Sequence, residues 1–95
     1  MKNRHLYILE CEDGKLYTGV TTDLTRRFEE HRTGKGGHYT KYSHPKEILY
    51  YETFPSETSA KQREAQIKRW SHSKKQALIE SNFERLRQLS ISRDQ

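Results

Sequence analysis

The pair Asp13-Gly14 lies between two runs of strand-forming residues, and it constrains the fold more than any other local feature. Residues 5–12 and 15–20 are rich in Leu, Ile, Tyr, Val and Thr, whereas Asp-Gly is a pair that a two-residue type I′ turn prefers. The pattern predicts an antiparallel hairpin in which Glu12 pairs with Lys15. A lone hairpin is marginally stable in water, so other elements must pack against it.

A helix is predicted directly after the hairpin. Asp23 is a typical N-cap, because its carboxylate can accept hydrogen bonds from the free backbone N–H groups of the first turn. The helix is expected to reach about Thr33 and to end at Gly34. The glycine-rich residues 34–37 are followed by neither Gly-Lys-Ser nor Gly-Lys-Thr, so we interpret them as a connection and not as a phosphate-binding loop.

The second half of the chain predicts one more strand and two more helices. Residues 46–54 form the strand, with a proline on each side. Ser56 is expected to cap a helix that runs to about Trp70. Ser73 and Gln76 have the spacing of a capping box, which predicts a single third helix. The apolar residues of that helix are Ala77, Leu78, Ile79, Phe83, Leu86 and Leu89.

The order of these elements is β-β-α-β-α-α. It predicts an α/β (α+β) fold, with a small three-stranded antiparallel sheet flanked by helices. Ninety-five residues are enough for one small domain over residues 1–95, in which we expect the core to cover about residues 4–89 and residues 90–95 to be a frayed tail.

Composition excludes several classes of protein. Hydrophobic residues make up 31% and charged residues 33% of the chain, and the mean hydropathy is −1.18. No segment approaches the ~20 apolar residues of a membrane-spanning helix, and the N-terminal residues do not resemble a secretory leader. The single cysteine, Cys11, excludes an internal disulfide and a cysteine-based zinc cluster. We therefore expect a cytoplasmic protein that does not bind membranes.

The positive charge is concentrated in residues 61–75. The whole chain has a net charge of +5, and this segment contains six cations and one anion, Glu64. Clustered Lys and Arg favour a polyanionic partner, nucleic acid before an acidic membrane, whereas the alternative is a solvated helical face. The candidate nucleic-acid-binding residues are Lys61, Arg63, Lys68, Arg69, Lys74 and Lys75.

One arginine is predicted to face inward on the first helix. Helical spacing places Leu24, Phe28 and His31 on one apolar stripe, and Arg27 falls on the same stripe. A guanidinium directed toward a sheet needs an anionic partner, from the protein or from a ligand, unless it reaches solvent at the margin of the stripe.

A carboxylate has the same kind of position on the second helix. Ala60, Ile67 and Trp70 mark the inner side, and Glu64 lies among them. Glu64 could form a structural ion pair with Arg27. Alternatively, the two groups suit phosphodiester chemistry, in which a carboxylate holds a divalent cation and an arginine neutralises the transition state.

Tyr7 and Tyr17 lie on the two arms of the hairpin and are further candidates. With a two-residue turn the two rings would point to opposite faces, so a bulge or a longer turn is needed to bring them together. Aromatic packing within the sheet is the alternative explanation for both residues.

The chain resembles the GIY-YIG nuclease superfamily, specifically its small bacterial-type members that consist of the nuclease module. His5-Leu6-Tyr7 takes the place of the first family triplet, and Tyr17-Thr18-Gly19 takes the place of the second. Arg27 and His31 match the family arginine and histidine, and residues 63–68 resemble the segment that contains the metal-binding glutamate. The resemblance covers about residues 4–80.

The resemblance implies an endonuclease site with roles for five residues. Tyr17, assisted by Tyr7, would lie near the attacking water, and Glu64 would hold a single Mg²⁺ or Mn²⁺. Arg27 would stabilise charge on the phosphate, and His31 would orient the phosphate or relay a proton. The implied reaction is hydrolysis of a phosphodiester to a 5′-phosphate and a 3′-hydroxyl.

The implied partner is nucleic acid, with DNA favoured over RNA, and the implied state is a monomer or a weak homodimer. Low sequence specificity is expected, because no separate DNA-targeting domain is evident. Asn82 is the candidate, by order along the chain, for a late asparagine of the family. A nucleic-acid-binding module that is non-catalytic or depends on a partner remains the alternative function.

Overall fold

The computed structural model describes residues 2–34 and 43–93, which form three strands and four helices. The strands make one antiparallel sheet in the order β2-β1-β3, which confirms the predicted fold class. None of the described helices is long and apolar enough to cross a membrane. The elements are β1 (Arg4–Cys11), β2 (Leu16–Thr21), α1 (Leu24–Arg32), β3 (Pro45–Phe54), α2 (Glu57–Lys68), α3 (His72–Ile79) and α4 (Phe83–Arg93).

The hairpin has a three-residue connection, so the predicted two-residue turn is wrong. The Cys11 N–H donates to the Lys15 carbonyl at 3.0 Å, and the Gly14 N–H donates to the Cys11 carbonyl at 2.9 Å. Gly14 has φ +85°, the left-handed conformation that ends a three-residue hairpin loop. The register therefore shifts by one residue from the expected pairing. As a result Tyr7 lies opposite Gly19.

This register brings Tyr7 and Tyr17 onto the same face of the sheet. Tyr17 pairs with Leu9, two residues after Tyr7 on β1, and side chains two residues apart on a strand share a face. The three-residue turn is therefore the longer turn that placing both tyrosine rings on one face requires.

The central strand β1 is buried on both faces. Leu6 and Ile8 are fully buried against Ile67 of α2 and Leu78 of α3, and they form the main hydrophobic core. Tyr7 and its neighbours at alternate positions point to the opposite face, where α1 lies. A strand with helices on both sides reads as a continuous apolar run, which is the pattern of this segment.

The predicted N-caps of α1 and α2 are confirmed. The Asp23 carboxylate accepts from the Arg26 N–H at 3.0 Å, and the Ser56 hydroxyl accepts from the Ser59 N–H at 3.2 Å. Helix α1 ends as expected before Gly34, which has φ +85°. Helix α2 ends at Lys68, two residues before the predicted end.

The third helix begins earlier than the capping-box pattern predicted. Its N-cap is Ser71, whose hydroxyl accepts from the Lys74 N–H at 3.2 Å. Ser73 lies inside the first turn, so its spacing to Gln76 does not form a capping box. Both serines are acceptable caps by residue type, and only the helix start distinguishes them.

The predicted single C-terminal helix is two helices. Ser81 adopts φ +57°, a left-handed conformation that ends α3. The Ser81 N–H donates to the Leu78 carbonyl and the Asn82 N–H donates to the Ala77 carbonyl, which is a Schellman ending. The sequence pattern did not predict this break, because the apolar spacing continues across it and a serine occupies a position that glycine usually takes.

Arg63 joins α2 to β3. Its guanidinium makes two hydrogen bonds of 3.0 Å with the Glu52 carboxylate, and both side chains are about three-quarters covered. The Glu52 carboxylate also accepts from the Tyr50 hydroxyl. The guanidinium carbon lies 5.4 Å from the ring centre of Trp70, and the Lys74 ammonium lies 4.5 Å from the same ring. Three of the six candidate nucleic-acid-binding residues are engaged within the protein, since Lys68 also pairs with Glu64 at 3.3 Å.

We expect the ion pair of Arg63 and Glu52 to contribute to folding. Replacing either residue with Gln should lower the free energy of unfolding by roughly 1–3 kcal/mol, since the partner would keep a mostly covered charge without its opposite charge. Urea unfolding of Arg63→Gln, Glu52→Gln and the double variant measures this effect. The double variant should lose less than the two single losses combined, and strictly additive losses would contradict the pairing.

Candidate functional site

The Tyr7 hydroxyl is the centre of a buried polar network. The side chain of Tyr7 is 0% exposed, and its hydroxyl lies 2.7 Å from Nε2 of His31. The Arg27 Nε–H donates to the same oxygen at 3.3 Å. Arg27 and His31 are four residues apart on α1, so both face the sheet. The predicted inward direction of Arg27 explains this contact with the tyrosine.

Tyr17 completes a group of three rings. Its ring centre lies 5.0 Å from that of His31 and 6.4 Å from that of Tyr7, and the His31 contact is edge to face. Tyr17 is only partly buried, whereas Tyr7 is fully covered. The two tyrosines of the motifs therefore meet in space, with Tyr17 nearer to solvent.

Gly19 makes room for the Tyr7 hydroxyl. A Cβ atom on Gly19 would lie 2.5 Å from the hydroxyl oxygen and 2.7 Å from Cζ of Tyr7, closer than real Cβ contacts. The glycine of the second triplet is thus required by the close approach of a side chain from the neighbouring strand.

Burial determines the protonation states in this network. It raises the pKa of Tyr7 to about 12 despite the opposing hydrogen bond from Arg27, and the charge of Glu64 adds to the increase. Burial, followed by the charge of Arg27, lowers the pKa of His31 to about 4. At neutral pH both groups are therefore uncharged. Because the Tyr7 oxygen accepts from Arg27, its own proton is available to the neutral Nε2 of His31.

Arg27 keeps its charge through its partners. Its Nη1 lies 2.9 Å from the Glu30 carboxylate, and 28% of its side chain is exposed. Burial disfavours the charged guanidinium, but the hydrogen bonds to Glu30 and Tyr7 outweigh it and hold the pKa of Arg27 above its usual range. The same bond lowers the pKa of Glu30. The guanidinium is positioned on one side and reaches solvent on the other.

Glu64 is not the structural partner of Arg27. Its carboxylate lies 3.3 Å from the Lys68 ammonium, and 17% of its side chain is exposed. Within residues 2–34 and 43–93, no ion pair joins Glu64 to Arg27, so the alternative of a purely structural pair is wrong. Among the causes that raise the pKa of Tyr7, the charge of Glu64 comes last, after burial and Tyr17.

A groove lies beside Arg27, between α1 and α2. It has a volume of about 280 Å³ and is lined by residues of β1, β2, both helices and the turn before α1. Glu57, Lys61 and Glu64 share one face of α2, because they are spaced by four and three residues. The groove is lined by Arg4, Val20, Thr21, Thr22, Arg26, Arg27, Glu30, Glu57 and Lys61.

Glu64 is the residue that could hold a divalent cation. Mg²⁺ is commonly bound by one or two carboxylates together with substrate phosphate oxygens and water, so a single partly exposed carboxylate suits it. The described residues contain no cluster of three or more His, Cys, Asp and Glu side chains suitable for a metal.

The other predicted residues have diverse environments. Lys61 lines the groove, whereas Arg69 is exposed. Lys75 is half-buried, and desolvation followed by the charge of Lys68 lowers its pKa. Asn82 caps α4, since its side-chain oxygen accepts from the Arg85 N–H at 3.1 Å.

Arg4 and Arg26 were missed by the sequence reasoning. Both line the groove, but they belong to β1 and α1 and lie outside the basic segment. No spacing along the chain connects them to Lys61, so only the tertiary structure brings these three cations together.

Comparison with known proteins places this fold and site in one family. Residues 3–77 match the description "GIY-YIG catalytic domain", and the chain belongs to the GIY-YIG family. It is 42% identical over 78 residues to a UPF0213 protein of Bacillus pumilus, covering 82% of this chain and 80% of that protein. It is 48% identical over 79 residues to a UPF0213 protein of Streptococcus pyogenes serotype M5, covering 82% and 86%.

Two solution NMR structures are similar to this chain. A UPF0213 protein from Bacillus halodurans has 42% identity and a TM-score of 0.53, with 82% of this chain and 83% of that chain covered. A protein from E. faecalis has 30% identity and a TM-score of 0.59, with 87% and 88% covered. The resemblance to the GIY-YIG family is confirmed, and membership supports a nuclease-type function.

We expect Gly19→Ala to displace the Tyr7 hydroxyl. The new methyl group would overlap the phenol, so the free energy of unfolding should fall by roughly 1–3 kcal/mol. The bond to His31 should also be lost, which NMR of the imidazole nitrogens can detect. In a Tyr7→Ala background the same substitution should have little effect, and an equal loss there would contradict the steric explanation.

The buried His31 predicts acid-sensitive stability. Its pKa is about 4 in the folded chain against 6.5 for an unperturbed histidine, so the unfolded chain binds more protons between these values. The stability that neutral His31 contributes is complete above pH 6.5 and is lost as the pH falls through that value toward 4, a loss on the order of 3 kcal/mol. Urea unfolding across this range should give a flatter pH profile for His31→Gln. Parallel profiles would show that His31 is not the titrating group.

Proposed function

We propose that this protein is a metal-dependent endonuclease that hydrolyses phosphodiester bonds, in DNA before RNA, with low sequence specificity. The observation that carries the proposal is the Tyr7 hydroxyl held between Arg27 and a neutral His31, next to a groove that opens to solvent. An arginine that is mostly covered but 28% exposed is well placed to contact a phosphate without reorganising.

Arg27 is the group that we assign to the reacting phosphate. Tyr7 and Glu30 hold the guanidinium, whose N–H donors can meet a phosphate where the side chain is exposed. Charge that builds on the phosphate oxygens during in-line attack would be stabilised by these donors.

Tyr17 and Tyr7 have different roles in this proposal. Tyr17 is the partly exposed phenol, and we assign it to orienting the attacking water. Tyr7 is a positioning residue that holds Arg27 through its hydroxyl oxygen, and its contact with His31 fixes the direction of its own proton. Because both groups are uncharged at neutral pH, Tyr7 acts as a neutral hydroxyl and no phenolate is required.

Glu64 would hold the divalent cation, Mg²⁺ or Mn²⁺. Such a cation, when bound, supplies Lewis-acid stabilisation of the phosphate and leaving oxygens. The Glu64 carboxylate also contacts Lys68, which therefore lies beside the proposed cation site. We further propose that the protein acts in the cytoplasm, as a monomer or a weak homodimer.

The nuclease is tested by cleavage of supercoiled plasmid with Mg²⁺ or Mn²⁺. Arg27→Gln and Glu64→Gln should each reduce cleavage by at least ~10²-fold, because each removes charge stabilisation from the transition state. The matched control is Arg32→Gln, an exposed arginine of α1 that pairs with Glu29, and it should cleave like the wild type. Ligation of the nicked product tests for the 5′-phosphate and the 3′-hydroxyl.

Two outcomes would contradict this function. Cleavage that survives in both Arg27→Gln and Glu64→Gln would come from a contaminating enzyme. Tight binding of the plasmid without cleavage under any metal condition would favour a non-catalytic binding module. Calorimetric titration with Mn²⁺ separates these cases further, since binding should be lost in Glu64→Gln.

A further inference from the structure

The groove between α1 and α2 carries more positive charge than the reacting phosphate needs. Four cations line it, Arg4, Arg26, Arg27 and Lys61, and only Arg27 contacts the tyrosine network. They come from three elements, β1, α1 and α2, so their proximity is a property of the tertiary structure. A concave surface with charge of one sign attracts ions of the opposite sign.

The carboxylates of the groove do not balance this charge. Glu30 is held by Arg27 at 2.9 Å, and Glu57 is held by Arg4 at 3.6 Å. Lys61 forms no ion pair within residues 2–34 and 43–93, and its side chain is exposed. The lining residues therefore retain a net positive charge that points into the groove.

Arg26, another cation that lines the groove, is held in place by two contacts. Its guanidinium donates to the Thr22 hydroxyl at 3.3 Å and lies 3.8 Å from the Glu30 carboxylate. These two contacts retain the head group at the wall of the groove, so less side-chain freedom is lost when it binds an anion.

We infer that this groove binds a second phosphate of the substrate strand, next to the scissile one, through Arg26 and Lys61. The inference rests on the proposed function and deepens it. A nucleic acid carries a phosphate at every nucleotide, so a strand whose scissile phosphate lies at Arg27 presents the next phosphate further along the same groove. The substrate is then a polynucleotide and not an isolated phosphodiester.

The remaining basic residues offer a weaker path for the strand. Arg63 is bound to Glu52 and Lys74 lies on the Trp70 ring, so the basic segment is interrupted where internal contacts use its charges. The path from Arg27 to Lys61 is continuous along one groove.

Binding in the absence of metal tests the inference without requiring cleavage. A fluorescein-labelled oligonucleotide is titrated in EDTA with Arg26→Gln, Lys61→Gln and the double variant. Each single variant should raise Kd about 3- to 10-fold and reduce the slope of log K against log salt by about 1. The controls are Lys46→Gln on β3 and Arg85→Gln on α4, which should bind like the wild type. Lys61→Arg, which keeps the positive charge, should bind the oligonucleotide with the affinity of the wild type.

Wild-type affinity in both groove variants would overturn the inference, even if cleavage of plasmid is established. A larger loss in Arg69→Gln than in either groove variant would place the strand along the end of α2 and would also overturn it.

A substrate with one phosphate provides the second test. With Mn²⁺, Arg26→Gln and Lys61→Gln should raise KM for the oligonucleotide about 3- to 10-fold with little change in kcat, and should lower the rate on bis(4-nitrophenyl) phosphate by a clearly smaller factor. Equal losses on both substrates would mean that these residues act at the reacting phosphate, which contradicts a separate subsite. Melting temperatures verify that the variants are folded.

Discussion

The shared Tyr7 hydroxyl is the interaction on which the site depends. One oxygen accepts from Arg27 and lies 2.7 Å from His31, so a strand and a helix are tied through a single polar atom that water does not reach. A buried hydroxyl costs free energy unless it is hydrogen-bonded, and here both available partners come from α1. The network therefore stabilises the packing of α1 on the sheet while it positions the guanidinium.

This arrangement depends in turn on the hairpin register. Tyr7 lies opposite Gly19 because the connection between β1 and β2 contains three residues, with Gly14 in the left-handed conformation. A shift by one residue would place Tyr7 and Tyr17 on opposite faces and would put a side chain beneath the phenol. The three-residue turn sets the register, the register places Tyr7 over Gly19, and the absence of a Cβ on Gly19 leaves room for the cluster of rings.

Local chemistry made some features predictable. Asp23 and Ser56 were identified as N-caps because a cap is satisfied by backbone groups within three residues. The inward direction of Arg27 followed from helical spacing alone. The start of α3 was predicted wrongly because more than one serine could serve as its N-cap. The break at Ser81 was not predicted because a serine in the left-handed conformation has no distinct sequence signal.

Charge was harder to interpret from sequence than periodicity. The basic segment contained Arg63 and Lys74, which the structure engages with Glu52 and Trp70, and it omitted Arg4 and Arg26, which line the groove. A charged side chain is long and flexible, so its partner is decided by elements distant in sequence.

The sequence by itself determined the strands, the first helix, two N-caps and the face that Arg27 and His31 share, because interactions within a few residues set each of them. Tertiary structure alone decided the strand register, the contact of Tyr7 with Arg27 and His31, and the cations that meet in the groove. These features depend on backbone pairing and packing between segments far apart along the chain, where an error of one residue changes every neighbour of a side chain.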